Sequence, residues 1–69
     1  MTLEELRVKY QTLADNCEKR GNESHAKAEE LIQANKLELA KYFYDKATSE
    51  YNTATMYMHF ANELSKVTK

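Results

Sequence analysis

Two histidine and glutamate pairs are the groups in this 69-residue chain whose spacing could bind a metal ion. His25 precedes Glu29 by four residues, and His59 precedes Glu63 in the same way, which places each pair on one face of a helix. A di-iron bundle instead requires Glu-x-x-His, and the residues three before these histidines are not acidic. The zinc motif His-Glu-x-x-His does not occur either. We therefore interpret both histidines as surface residues and expect no metal or other cofactor.

Nucleophiles and paired acids are the other groups that could do chemistry. The single cysteine, Cys17, cannot form an internal disulfide, and its place in an apolar series at helical spacing indicates packing rather than a reactive thiol. The adjacent glutamates at 4 and 5 and at 29 and 30 point about 100° apart on a helix, so neither pair suits acid and base catalysis. No serine nucleophile motif or glycine-rich phosphate loop occurs. We expect a protein that is not an enzyme.

The charge of the chain is nearly balanced. Ten basic and eleven acidic residues give a net charge of −1, which supplies no long-range attraction to nucleic acid. A local basic stripe on the first half stays open as an RNA-binding site, although Glu18 and Glu23 interrupt it; it comprises Lys9, Lys19, Arg20 and Lys27. No segment has the pattern of a signal peptide or a membrane span, so we expect a cytoplasmic protein that does not bind membranes.

Helices must position these residues, and the second half of the chain shows the clearest one. Every seventh residue from Ala40 to Ala61 is alanine, and large apolar residues recur at the same interval from Leu37 to Met58. These are the d and a positions of four heptads, and the b positions are polar. The period predicts one helix over about residues 36–67, with a neighbouring helix that approaches closely along the alanines.

The first half begins with a capping box, Thr2 followed by Glu5, which predicts a helix over about residues 2–34. Gly21 followed by Asn22 leaves two interpretations open: a break that gives three helices, or a glycine tolerated inside one helix at a cost of about 1 kcal/mol. With a turn at about residues 35–36, facing residues of an antiparallel hairpin have numbers that sum to about 71 or 72. Small residues then meet large ones, as Gly21 meets Tyr51. We favour an all-α hairpin of two long helices in a single domain, 1–69, with a bend or break at Gly21 left open.

The apolar surface of the second helix is wider than one neighbouring helix can cover. Apolar residues at c and g extend it to an arc of roughly 150°. Large exposed apolar patches usually mark association surfaces, and the simplest closure is a homodimer of two hairpins that forms a four-helix bundle. The residues that we assign to this self-association are Leu39, Phe43, Leu64 and Val67.

A second set of apolar residues lies away from the a and d positions or beside them. Tyr42 and Met56 both fall at f, and aromatic residues and methionine are enriched where protein partners bind. The residues that we assign to partner binding are Tyr42, Met56, Tyr57 and Phe60.

Two known families resemble parts of this layout. Residues 28–47 resemble one tetratricopeptide repeat, with small and aromatic residues at Ala28, Ala40, Tyr44 and Ala47, which implies a single repeat-like helical pair as an alternative fold. The chain length, the hairpin layout and the lone cysteine are similar in architecture to Rop, a small dimeric bundle that binds paired RNA loops. That resemblance implies a dimeric RNA-binding regulator as the alternative function.

Function is expected to reside in contact rather than in catalysis. We expect a small homodimeric protein-interaction module that binds a larger protein and inhibits it or bridges it to another molecule. Short chains of this kind, rich in Asn and Lys, are common in phages and mobile elements of bacteria, which is the origin that we expect. The two functions differ in the residues on which binding depends: apolar residues of the second helix for a protein, basic residues of the first for RNA.

Overall fold

The computed structural model describes residues 2–67 and consists of two long helices packed as an antiparallel hairpin. Helix α1 spans Leu3–Gln33 and helix α2 spans Leu37–Val67, and the described residues contain no strand. The Cα atoms extend over 51 × 15 × 12 Å, so the hairpin is a narrow rod. The predicted all-α hairpin is confirmed.

The start of α1 is fixed by the predicted capping box. The Thr2 hydroxyl accepts a hydrogen bond from the Glu5 backbone N–H at 3.1 Å, and the Glu5 carboxylate accepts one from the Thr2 N–H at 3.4 Å. These two bonds satisfy donors that an uncapped helix leaves without partners. Glu4 and Glu5 in the first turn also interact favourably with the positive end of the helix dipole.

The turn between the helices is a Schellman motif. Asn35 has a φ of 61°, a left-handed conformation that asparagine tolerates better than most residues. The N–H groups of Asn35 and Lys36 donate to the carbonyls of Ile32 and Leu31 at 2.9 and 2.8 Å, which satisfies the last carbonyls of α1. The Lys36 carbonyl then accepts from the Ala40 N–H at 3.0 Å and begins α2. A short turn of this kind makes the two helices antiparallel neighbours.

Gly21 lies inside one continuous helix, so the three-helix alternative is wrong. Its backbone is helical, and its missing side chain leaves room for the ring of Tyr51 on α2. A Cβ at this position would lie 2.7 Å from the Tyr51 Cε1 atom, closer than side chains approach in proteins. The glycine therefore serves helix packing and does not end the helix. The single-repeat alternative is also wrong, because each helix has 31 residues whereas a tetratricopeptide repeat fits both helices into about 34.

The two helices meet along a seam of small residues. All four alanines predicted at d are buried, which confirms that register of α2. We call the buried set the small-residue seam; it comprises Ala14, Cys17, Gly21, Ser24, Ala28, Ala40, Ala47, Ala54 and Ala61. Side chains this small let helix backbones approach closely, as a narrow rod requires.

The large residues at a lie beside the small-residue seam and not within it. Leu37 and Met58 are 62% and 39% exposed, and Tyr44 and Tyr51 are half-buried beside the seam. The same holds on α1, where the small Ala14 is buried and the larger Leu13 beside it is only half-buried. The reason is geometric: when the alanines point directly at the other helix, the a and g positions flank the contact on either side.

We predict that Gly21→Ala destabilises the hairpin by about 1 kcal/mol or more, although alanine favours a helix over glycine by about as much. The new methyl group would push the Tyr51 ring out of its place and break the hydrogen bond from the Tyr51 hydroxyl to Asn22. Chemical denaturation followed by circular dichroism measures the change in the free energy of unfolding. In a Tyr51→Ala background the same substitution should stabilise the hairpin by about 1 kcal/mol, because only helix propensity then differs. Stabilisation in both backgrounds would contradict the close contact.

We predict that Ala47→Leu destabilises the hairpin by about 1 to 3 kcal/mol, because a larger side chain overpacks the small-residue seam. Ala47 is only 2% exposed, whereas Thr48 beside it is exposed. Thr48→Leu is therefore the matched control and should change the free energy of unfolding by no more than about 0.5 kcal/mol. Equal effects of the two substitutions in thermal or chemical unfolding would place Ala47 outside the helix contact.

Candidate functional site

The hairpin buries small residues and leaves the large apolar ones at its surface. None of the described large side chains is fully buried. The exposed large apolar residues, at 37% to 66% exposure, are Leu3, Val8, Ile32, Leu37, Leu39, Tyr42, Met56, Met58, Phe60 and Val67. Most of them belong to α2, so this helix carries the surface that is best suited to contact with another molecule.

One side of the hairpin, which we call the tyrosine face, is closed by hydrogen bonds between the helices. The Tyr51 hydroxyl donates to Asn22 Oδ1 at 2.6 Å, and the Tyr44 hydroxyl donates to Glu29 Oε1 at 2.5 Å. The His25 ring lies edge-on to the Tyr44 ring, with ring centroids 5.2 Å apart. These contacts give the tyrosines a packing role in which each hydroxyl reaches a partner at the rim.

The opposite side, which we call the apolar face, carries two clusters of large residues. At the open end of the hairpin, the Tyr10 ring lies 5.8 Å from that of Tyr57 and 5.5 Å from that of Phe60. At the turn end, the rings of Tyr42 and Phe43 meet edge to face at 5.1 Å. The open-end cluster comprises Tyr10, Leu13, Tyr57, Phe60, Leu64 and Val67. The turn-end cluster comprises Leu31, Leu39 and Phe43, and Tyr42 lies at its outer edge.

A polar belt separates the two clusters halfway along the apolar face. Arg20 of α1 donates from Nε to Glu50 Oε2 of α2 at 3.1 Å and from Nη2 to the Cys17 sulfur at 3.2 Å. Lys46 and Thr53 lie one turn to either side of Glu50 on α2. We define the polar belt by Arg20, Lys46, Glu50 and Thr53. The side chain of Glu50 is 22% exposed and that of Arg20 is 54% exposed, so the ion pair is partly shielded from water.

The residues assigned to partner binding adjoin those assigned to self-association at two places. Tyr42 of the first set contacts Phe43 of the second, and Tyr57 is half-buried beside Tyr10. Tyr57 also shares its heptad position with Leu64, one heptad later. Leu39 and Val67 are exposed at 52% and 66%, while Phe43 and Leu64 are half-buried. Tyr42, Met56 and Phe60 are exposed at 58%, 48% and 42%.

Helix α1 also contributes to this surface, which the sequence analysis does not predict. The ring of Tyr10 contacts Tyr57 and Phe60 on the apolar face. Antiparallel pairing contains the signal that could have placed it there. Tyr10 and Phe60 have numbers that sum to 70, close to the sum expected for residues at the same height.

The basic stripe proposed for RNA is partly neutralised. Arg20 pairs with Glu50, and Lys27 Nζ lies 3.6 Å from Glu30 Oε2. Lys9 and Lys19 are exposed and take part in none of the ion pairs among the described residues. Two of the four basic residues are therefore left to attract a phosphate backbone. The affinity of a protein for nucleic acid grows with the number of phosphates that its basic side chains neutralise.

Groups suited to chemistry stay dispersed. His25 Nε2 lies 3.8 Å from Glu29 Oε1, but this carboxylate already accepts the Tyr44 hydroxyl. The described residues contain no group of three or more His, Cys, Asp or Glu side chains that could hold a metal ion. Cys17 is buried in the small-residue seam. Neither described helix contains a segment that is both long enough and apolar enough to cross a membrane.

Comparison of this chain with protein-family models, with curated proteins and with solved structures finds no match. A function for the chain must therefore be inferred from its own residues and their geometry.

We predict that Glu29→Gln lowers the pKa of Tyr44 towards the ordinary tyrosine value of about 10. The hydrogen bond to the Glu29 carboxylate raises the pKa of Tyr44, because the bond needs the protonated hydroxyl and the negative charge opposes a phenolate. The contact therefore stabilises the hairpin below the ordinary tyrosine pKa and is lost as pH rises through the raised one. NMR titration of the Tyr44 ring carbons measures the shift. Glu30→Gln is the control; an equal shift there would show a general charge effect.

Proposed function

We propose that this chain is a small protein-interaction module without catalytic activity. Two hairpins associate through their apolar faces into a homodimeric four-helix bundle. The dimer then binds a larger protein through exposed residues at the outer edge of α2, and it inhibits that protein or bridges it to another molecule. The single observation that carries the proposal is the inverted distribution of side chains: the buried residues are alanine, glycine, serine and cysteine, while every described aromatic residue and methionine is half-buried or exposed.

The accessible surface of the hairpin supports association. A compact monomer of 8.1 kDa is expected to expose roughly 4,500 Å². The hairpin exposes 5092 Å², which is about 600 Å² more. That excess is of the same order as the roughly 800 Å² that each partner buries in a stable protein interface. The elongated hairpin therefore has more surface available for association than a compact domain of the same mass.

The angular arrangement of α2 suits a bundle of four helices. Each helix in such a bundle contacts two neighbours in directions roughly 90° apart. The d position of α2 already faces α1, and the c position precedes it by one residue, which places it about 100° away around the helix. Leu39 and Phe60 occupy c, and Phe43 and Tyr57 occupy g between the two directions. A second hairpin on the apolar face would cover these side chains.

Tyr42 and Met56 remain at the outer edge of α2 in this arrangement. Both occupy f, beyond c and turned away from the small-residue seam. They are 58% and 48% exposed and lie fourteen residues apart, about 21 Å along the helix. Partner interfaces are enriched in such residues, and a few of them usually dominate the binding energy. We assign the contact with the larger protein to this pair, with Phe60 at the boundary of the dimer contact.

The RNA-binding alternative has less support from the side chains. The Rop-like architecture would require a basic surface, but the ion pairs of Arg20 and Lys27 reduce the charge available on α1. Binding through Lys9 and Lys19 would weaken steeply as salt concentration rises. Binding through Tyr42 and Met56 would tolerate salt.

We predict that the double substitution Tyr42→Ser with Met56→Ser abolishes capture of the protein partner. Each truncation at a central contact typically weakens binding by about tenfold or more, so the pair should reduce capture beyond detection. The measurement is quantitative affinity capture from an extract of the producing cells, with the wild-type chain and the variant compared by mass spectrometry. Circular dichroism checks that the variant keeps its helices.

The matched control is Leu3→Ser with Val8→Ser, which removes two exposed apolar side chains from α1 instead of α2. A partner that the control retains and the Tyr42 and Met56 variant loses supports the proposal. Capture that is abolished by ribonuclease, by high salt and by Lys19→Glu would support the RNA alternative. If both serine variants capture the same proteins as the wild-type chain, the assignment of Tyr42 and Met56 is wrong.

A further inference from the structure

The polar belt lies at the centre of the surface that a second hairpin would cover. Glu50 occupies g, the position that points between the two contact directions of α2. Its carboxylate is mostly shielded already, and Arg20 is its ion-pair partner. Apolar residues at both positions would join the two clusters more closely, so the placement of a charged pair there calls for a physical role.

The apolar face is layered along its length, and each layer draws on both helices. Leu13 and Leu31 lie seven and eleven residues from Arg20, which places all three on the same side of α1. Antiparallel packing brings Leu13 level with Tyr57, Arg20 level with Glu50 and Leu31 level with Leu39. In each pair the residue numbers sum to 70. An apolar layer, a charged layer and another apolar layer therefore follow one another from the open end to the turn, and Lys27 lies level with Phe43 between the last two.

A second copy can cover this face about a twofold axis in two orientations. If the axis runs parallel to the helices, α2 lies over α1 of the second copy and both turns are at the same end. If the axis runs across the helices, α2 lies over α2 of the second copy and the turns are at opposite ends. Both orientations bring charged layer onto charged layer and apolar layers onto apolar layers.

The charges distinguish the two orientations. With the axis across the helices, Glu50 would face Glu50 of the second copy and Arg20 would face Arg20. With the axis along the helices, Glu50 faces Arg20 of the second copy at the same height. Like charges placed together in an interface are strongly unfavourable, whereas alternating charges attract. Arg20 uses Nε and Nη2 in its described contacts, so Nη1 is left for a second carboxylate.

We propose that two copies of the chain dock through their apolar faces with the twofold axis parallel to the helices, closing an alternating ring of Arg20, Glu50, Arg20 and Glu50. Both turns then lie at the same end of the bundle. The proposal rests on the homodimer proposed above and adds its orientation and the residues that determine it. The charged ring contributes orientation more than stability, because desolvating ion pairs offsets most of their attraction. An apolar layer in its place would accept either orientation.

Charge reversal on separate chains tests the ring. Arg20→Glu gives a hairpin with two acids in the charged layer, and Glu50→Arg gives a hairpin with two bases. Each variant alone should be monomeric at concentrations about 100-fold above the dissociation constant of the wild-type dimer, since four like charges would meet. An equimolar mixture should form a heterodimer, because each acid then faces a base on the other copy. Sedimentation analysis measures the mass, and circular dichroism follows helix content in case either variant unfolds alone.

Lys19→Glu is the matched control, since it reverses an adjacent exposed charge that points away from the apolar face and should leave the dimer intact. Dimers formed by both single variants, or a mixture that regains neither mass nor helix content, would overturn the ring while leaving the proposed homodimer standing. A wild-type chain that stays monomeric at every concentration would overturn the homodimer as well.

Orientation is tested by the distance between spin labels on Glu38→Cys in a Cys17→Ser background. Glu38 is an exposed residue in the first turn of α2, twelve residues and about 18 Å from Glu50. With both turns at one end, the two labels lie at the same height on diagonally opposite helices, at a distance of about 32 Å. With turns at opposite ends, they are separated by about 36 Å along the axis, and the width of the bundle increases the distance to about 40 Å. A distance of about 40 Å would overturn the proposed orientation.

Discussion

The close approach of two helices along a seam of small residues is the constraint on which the rest of this structure depends. An alanine every seventh residue on α2 faces alanine, cysteine, glycine and serine on α1, and none of these side chains can hold the backbones apart. A seam so thin buries little apolar area per residue. The larger residues then lie on the flanks, where the other helix covers them only in part. The exposed apolar surface is thus a geometric consequence of the seam and not an accident of composition.

A seam with a strict seven-residue repeat has a second consequence, because it does not determine its own register. Sliding α2 by one heptad along α1 would again place alanine against small residues. The contacts that break this degeneracy are those that occur once: Tyr51 fits against the only glycine, and Tyr44 reaches Glu29. The Arg20 and Glu50 ion pair and the Schellman turn at Asn35 act in the same sense. Polar contacts here contribute a unique alignment, while the seam contributes close packing.

The features of this fold that the sequence predicts are those that depend on local patterns, and the features that it does not predict depend on contacts between the helices. The heptad of alanines, the capping box at Thr2 and the turn near Asn35 are local patterns with one physical interpretation, and the structure confirms all three. Gly21 has two interpretations, because a glycine ends helices and also admits a neighbouring side chain; only the position of the Tyr51 ring decides between them. The contribution of α1 to the apolar face cannot be predicted from the sequence, for a related reason. Which side of α1 adjoins which side of α2 depends on the rotation of both helices, and a heptad assignment of one helix does not specify it.

The polar belt also explains how a protein with so apolar a face can avoid aggregation. A continuous apolar stripe along both helices would accept copies of the chain in many registers and in either direction, which favours open aggregates over a closed dimer. A charged layer at mid-height makes most of those alignments unfavourable, since it would bury Arg20 or Glu50 against apolar side chains. Only alignments that place the belt on a complementary polar surface avoid this cost. The ion pair on the apolar face is thus the feature that limits what the face can bind, and it does so for a second copy and for any other protein alike.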